Sequence, residues 1–113
     1  MLNYFSNLYQ NFLDAYQGKA KVGQKRSSKW PTVRDKFLKR NPKCAVCNTK
    51  KEIEAHHVYP FHLFPQFELD QSNLISLCRD HHFWVGHLGS WKSYNAICRE
   101  DAETWRNKIK NRP

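Results

Sequence analysis

Six histidines fall between His56 and His87, with Cys44-Ala-Val-Cys47 before them and Cys78-Arg-Asp-His81-His82 among them. Imidazole and thiolate at short fixed spacings are the usual means of holding a transition metal. Cys44-x-x-Cys47 and Cys78-x-x-His81 read as two half-sites that together make a closed tetrahedral zinc site of Cys3His type. Cys98 is the alternative fourth ligand, but it lies outside the knuckle spacing and reads better as a buried free thiol. More histidines remain than one ion needs, so the pattern predicts two metal sites, one structural and one chemical.

His56, His57, His82 and His87 are left for chemistry. Neighbouring residues on a strand point to opposite faces, so His56 and His57 should not share an ion. The expected division is a metal ligand beside a free imidazole. A histidine base near neutral pH can activate water, and a divalent ion opposite it can stabilise charge growing on a phosphate. Glu54 shares a strand face with His56 and could orient it as a carboxylate partner. His62 lies in a long loop from which it could approach a phosphate. Trp84, Trp91 and Tyr94 could stack on bases, although core packing is the expected use.

The elements that must position these groups can be read from period and punctuation. Leu2, Phe5, Leu8, Tyr9, Phe12, Leu13 and Tyr16 recur at helical steps, predicting an amphipathic helix over 1–18 that ends at Gly18. It is a candidate oligomer contact or docking helix. Residues 19–29 have no apolar period and read as a basic linker. Pro31 suits the first turn of a helix with Trp30, Val33, Phe37 and Leu38 on one face, ended before Pro42. Strands are expected at Glu52–Val58 and Leu74–Leu77, separated by a 59–72 loop. A helix from about Asp80 would carry His81, His82 and His87, and residues 101–110 form a last helix with Ala102, Trp105 and Ile109 inward. The result is a small α+β unit over 30–113, stapled by zinc.

At 113 residues the chain has room for one small core. Its hydropathy leaves no membrane span, and its N-terminus has no signal-peptide pattern. It therefore reads as intracellular (cytoplasmic), where cysteines serve metal better than disulfides. The net charge of +9 is concentrated: residues 19–43 carry ten basic groups against Asp35 alone. Lys19, Lys21, Lys25, Arg26, Lys29, Arg34, Lys36, Lys39 and Arg40 are the candidate phosphate-gripping residues, with DNA as the expected partner.

In their order and spacing, Cys44-Ala-Val-Cys47, Ile53-Glu-Ala-His-His-Val-Tyr-Pro60, Asn73-Leu-Ile-Ser-Leu-Cys78, Asp80-His-His82 and Gly86-His87 resemble the HNH nuclease family. The likeness is to its small stand-alone members in bacteriophage genomes, and it covers about 70 residues. It implies a ββα-metal fold and a metal-dependent DNA endonuclease leaving 5′-phosphate and 3′-hydroxyl ends. Matched by position, His56 is a metal ligand, His57 the general base and Asn73 the brace that orients the base. His82 is the second ligand and His87 the third, around one Mg2+, Mn2+, Ni2+ or Zn2+ ion. His81 stands where the family usually has a fourth cysteine. His82 and His87 are five apart rather than four, which turns them about 140° from each other on a regular helix, unless Gly86 lets the helix bulge or end. The alternative function is a zinc-stabilised nucleic-acid-binding module without catalysis, or an accessory to phage DNA packaging that contacts packaging proteins.

Overall fold

Pro31 starts the first helix and Asn41, held before Pro42, ends it, so α1 runs Trp30–Arg40. The computed structural model describes residues 25–112. The amphipathic helix expected over 1–18, and Lys19 and Lys21, lie outside the described residues. Trp30 and Phe37 are buried, Val33 and Leu38 pack beside them, and the polar face of α1 stays in water.

After α1 the chain makes a tight knuckle at Cys44–Asn48. The amide of Asn48 donates to the Cys44 carbonyl and the amide of Cys44 to the Thr49 carbonyl. Asn48 takes a left-handed φ of 62°, a conformation asparagine tolerates better than most residues. Glu52 also has a positive φ, 52°, so the first strand begins one residue later than the sequence predicts. Strand β1 is Ile53–His57, and β2 is Leu74–Cys78. They pair antiparallel, with Ile53 opposite Cys78 and His57 opposite Leu74. Between them the 59–72 segment is ordered by two 3-10 turns and by the rings of Tyr59, Phe64 and Phe67 with Tyr94.

Alternation along the strands divides the core. Leu74, with Ala55 beside it, faces α1. Ile75, Leu77 and Val58 face the other way, toward Val85, Cys98 and Ala102. The two-stranded sheet thus lies between α1 and the C-terminal part of the chain. The expected helix after β2 is short: α2 is Arg79–His81, and it passes directly into a π turn over His82–Gly86. Helix α3 runs Cys98–Lys110, three residues longer at its start than expected.

Two inward expectations on α3 hold, at Ala102 and Ile109, and one does not. Trp105 shares their face yet remains 50% exposed, with the Lys108 ammonium 4.9 Å over its ring. A two-stranded sheet offers too little surface to cover a whole indole as well. Among the described residues no helix is long and apolar enough to cross a membrane. The chain is a small α+β unit with two groups of cysteine and histidine close enough to hold metal ions.

Candidate metal centres and cleft

Cys44, Cys47, Cys78 and His81 form the first group. The knuckle presents Cys44 and Cys47, and the end of β2 with the first turn of α2 presents Cys78 and His81. Cys78 Sγ lies 3.3 Å from His81 Nδ1 and 3.9 Å from Cys47 Sγ, and Cys44 Sγ lies 3.7 Å from His81 Nδ1. Zinc bonds of about 2.3 Å to sulfur give tetrahedral edges of about 3.8 Å, so these donors have the dimensions of a four-ligand cage. Burial pushes the Cys78 thiol up to about 11, with Cys44 and Cys47 adding to the effect. Cys44 is buried too, but hydrogen bonds from the backbone of Cys47, Cys78 and Val46 outweigh that and hold it below its ordinary value. A cation among them would satisfy all three sulfurs at once. Cys98 is a fully buried free thiol in the core with Ala102 and is not one of the four converging ligands, as expected from its spacing.

His56, His82 and His87 form the second group, with ligand atoms within 4.8 Å of one another. The five-residue spacing that a regular helix would splay is absorbed by the π turn. The amide of His87 donates to the His82 carbonyl, an i to i+5 bond of 3.1 Å. With about one extra residue in the turn, His87 comes back over His82. Gly86 is the residue that permits it. A Cβ there would lie 3.1 Å from Cε1 and Nε2 of His56, so glycine lets the turn close on the ring without either giving way. Asn95 fixes the end of the turn, donating to the Val85 carbonyl at 3.0 Å and to Asp101 at 2.7 Å.

The proton positions follow from the partners. His82 Nδ1 donates to Glu54 Oε1 at 3.1 Å, and His87 Nδ1 donates to the Ser93 carbonyl at 2.7 Å. Each then has a lone pair on Nε2, and these two Nε2 atoms sit 3.2 Å apart. Two lone pairs at that distance repel unless a cation lies between them. Zinc–nitrogen bonds of about 2.0–2.1 Å would put tetrahedral edges at about 3.3 Å. His56 Nε2, in the third ring of the set, is buried with no hydrogen-bond partner. Burial, with the neighbouring His82, His87 and His57 adding to it, lowers the His56 pKa to about 3, so the ring is neutral. Glu54, expected beside His56, instead orients His82 and pairs with Arg79 at 3.5 Å. His82 reaches that carboxylate while partly exposed, whereas His56 is buried against Gly86 of the turn.

His57 belongs to neither group. It faces α1, its ring centroid 4.4 Å from that of Trp30. Its Nε2 donates to the Glu68 carbonyl at 2.8 Å, so Nδ1 is the basic nitrogen. Burial lowers the His57 pKa, Arg26 adds to this, and Glu68 opposes it. The loop that carries the Glu68 carbonyl is held by Asn73, whose Nδ2 donates to the carbonyls of Tyr59 and Phe67 at 3.0 and 3.3 Å. Asn73 Oδ1 accepts from the Tyr59 amide at 2.9 Å. One buried amide side chain thereby closes the loop that aims the imidazole.

His56, His57, His82 and His87 line one cleft of about 640 Å³, with Glu54, His62, Trp91, Arg26 and Arg34 also on its walls. The basic residues are not equivalent. Lys25, Lys29, Lys36, Lys39 and Arg40 are exposed. Arg34 lines the cleft while bonding Asp35 at 3.2 Å. Arg26 lies between two rings, 5.3 Å from Trp30 and 5.1 Å from Phe61. Stacked faces leave its in-plane N–H groups to bond edge-on. Its position comes from the next residue, because the Ser27 amide donates to both carboxylate oxygens of buried Glu68 at 3.2 and 3.1 Å. The expected mobile linker thus enters the site at Arg26. The sequence assigns no role to Glu68, Ser93 and Asn95: two of them act through backbone carbonyls, and no spacing marks such a role. Comparison with protein-family models, with curated proteins and with solved structures gives no match.

Proposed function

We propose that the chain is a metal-dependent endonuclease of the HNH type, with a ββα-metal core stapled by zinc at Cys44, Cys47, Cys78 and His81. The observation that carries this reading is the pairing of an oriented, neutral His57 with three converging histidine ligand atoms in one cleft. A pure binding module has no need for an imidazole whose proton is fixed on one nitrogen by a braced carbonyl.

His56, His82 and His87 would hold one divalent ion, which when bound supplies electrostatic stabilisation of a phosphate and its leaving oxygen. The chain's own groups do the rest. His57, with its proton on Nε2, accepts a proton on Nδ1 from the attacking water. The Glu68 carbonyl keeps the ring in that tautomer and gains strength as the imidazolium forms. Arg26 and Arg34 offer donors to the phosphate oxygens, and the exposed Lys25, Lys29, Lys36, Lys39 and Arg40 supply sequence-independent attraction to DNA. The products expected are 5′-phosphate and 3′-hydroxyl ends.

The test is nicking of supercoiled plasmid by purified protein with added Mg2+, Mn2+, Ni2+ or Zn2+. Cleavage that follows the added ion and disappears in His57→Ala supports the reading. Tight DNA binding with no cleavage under any ion would leave the non-catalytic binding module in its place.

A further inference from the structure

Trp84 and Trp91, expected to pack in the core, are 64% and 51% exposed. Their rings are linked through Phe83, which lies 5.0 Å from each. Trp91 in turn lies 4.9 Å from His87 and 5.3 Å from His82. An aromatic strip therefore begins on the wall of the cleft at Trp91 and runs outward to Trp84. Leu88, 57% exposed, and Gly89 are consecutive left-handed residues with φ of 54° and 81°. A Cβ on Gly89 would lie 3.1 Å from Cζ3 of Trp84. The backbone bends under the indole and supports it in solvent rather than burying it. An exposed leucine in this conformation is strain, and strain persists where the surroundings impose it, commonly at functional sites.

We propose that the Trp84–Phe83–Trp91 strip is a stacking platform for unpaired nucleobases, and that the substrate is single-stranded or locally opened nucleic acid. The proposal rests on the phosphodiester reading of the cleft. Every base has a π face that an indole can cover without regard to sequence. In an intact duplex those faces are taken by neighbouring bases, so the platform engages only a strand that has come unstacked. Continuity and charge select this occupant over a protein. The strip adjoins the wall that would hold the phosphate, Arg26 and Arg34 carry positive charge in the same cleft, and Lys25 and Lys29 are exposed near them in the chain. A strand whose backbone follows those cations has its bases free to reach the indoles.

The experiment compares binding of two labelled single strands of equal length, an oligothymidylate and an abasic backbone, by fluorescence anisotropy without added divalent ion. Their charges match, so the difference isolates stacking. Wild-type protein should prefer oligothymidylate by about tenfold or more. Trp84→Ala should bind both strands alike while melting like wild type, and Trp84→Phe should keep most of the preference. Equal binding of the two strands by wild type, or a preference undiminished in Trp84→Ala, overturns the proposal. So does a concentration-dependent dimer in sedimentation that Trp84→Ala abolishes, because it assigns the strip to a second copy. Plasmid nicking separates the two readings: base preference without nicking leaves the platform and removes the hydrolase, and nicking without base preference does the reverse.

Discussion

Replacing Gly86 with alanine adds one methyl group at the point where the π turn closes on His56. That methyl would sit 3.1 Å from Cε1 and Nε2 and 3.2 Å from Nδ1 of the ring. Favourable carbon contacts fall at about 3.5–4.0 Å, so ring and turn must part by roughly half an ångström. The strand cannot yield easily, because His56 is 3% exposed and opposite Ile75 in the ladder. The ring, with no hydrogen bond on Nε2 to hold it, tilts away from His82 and His87. Disturbing the orientation of a metal ligand typically weakens metal binding on the order of 10–100-fold, or about 1.4–2.8 kcal/mol. Global stability should move less. Alanine gains up to about 1 kcal/mol over glycine in a helix, which offsets part of an overpacking cost of about 1–3 kcal/mol. Calorimetric titration with Mn2+, beside a thermal melt, reads the two effects separately. If Gly86→Ala binds Mn2+ as tightly as wild type, the three histidines are not a metal centre built around that glycine.

His57→Ala should lower plasmid cleavage by roughly 10²–10⁴ with unchanged Mn2+ affinity; cleavage at the wild-type rate would show that another group is the base. Cys44→Ser and Cys78→Ser should lose bound zinc and fold poorly, since in so small a core the clamp supplies folding free energy; a zinc-free Cys44→Ser protein with a wild-type melt would refute the clamp. Arg26→Ala should lower turnover at saturating DNA, whereas Lys25→Ala with Lys29→Ala should only make the salt dependence of duplex binding shallower, by about 0.9 for each lost phosphate contact. Equal loss of turnover in both variants would mean that Arg26 is one more surface cation.

The parts of the site legible in the sequence are those that depend on local spacing. The two knuckles and the opposed faces of His56 and His57 follow from short intervals and strand alternation, whereas Asn73 as a brace is implied only by the likeness to the HNH family. What the sequence hid is non-local or made by backbone. Arg26 reads as linker because its place depends on Ser27 meeting Glu68, 41 residues away. Glu54 has the right strand face for His56, but the ring it reaches belongs to a turn whose path no period reveals. The spacing of His82 and His87 argues against a shared ion only if the helix is regular, and Gly86 was the sole hint that it is not. Trp84 and Trp91 carry the composition of a core, and their exposure follows from the turn that swings them outward.

A π turn is an α turn with one residue more than it needs. Removing one residue from within 83–86 while keeping the glycine would return His82 and His87 to an interval of four, which an ordinary α-helix already places on one side. The histidine pair can therefore survive a change in chain length that would scramble most helices, and five-residue and four-residue versions of this segment can interconvert through a single codon without passing through a chain that has lost its ligands. The same surplus residue places Phe83 and Trp84 where they are, so a shortened chain would keep its two histidines on one side and surrender the aromatic strip.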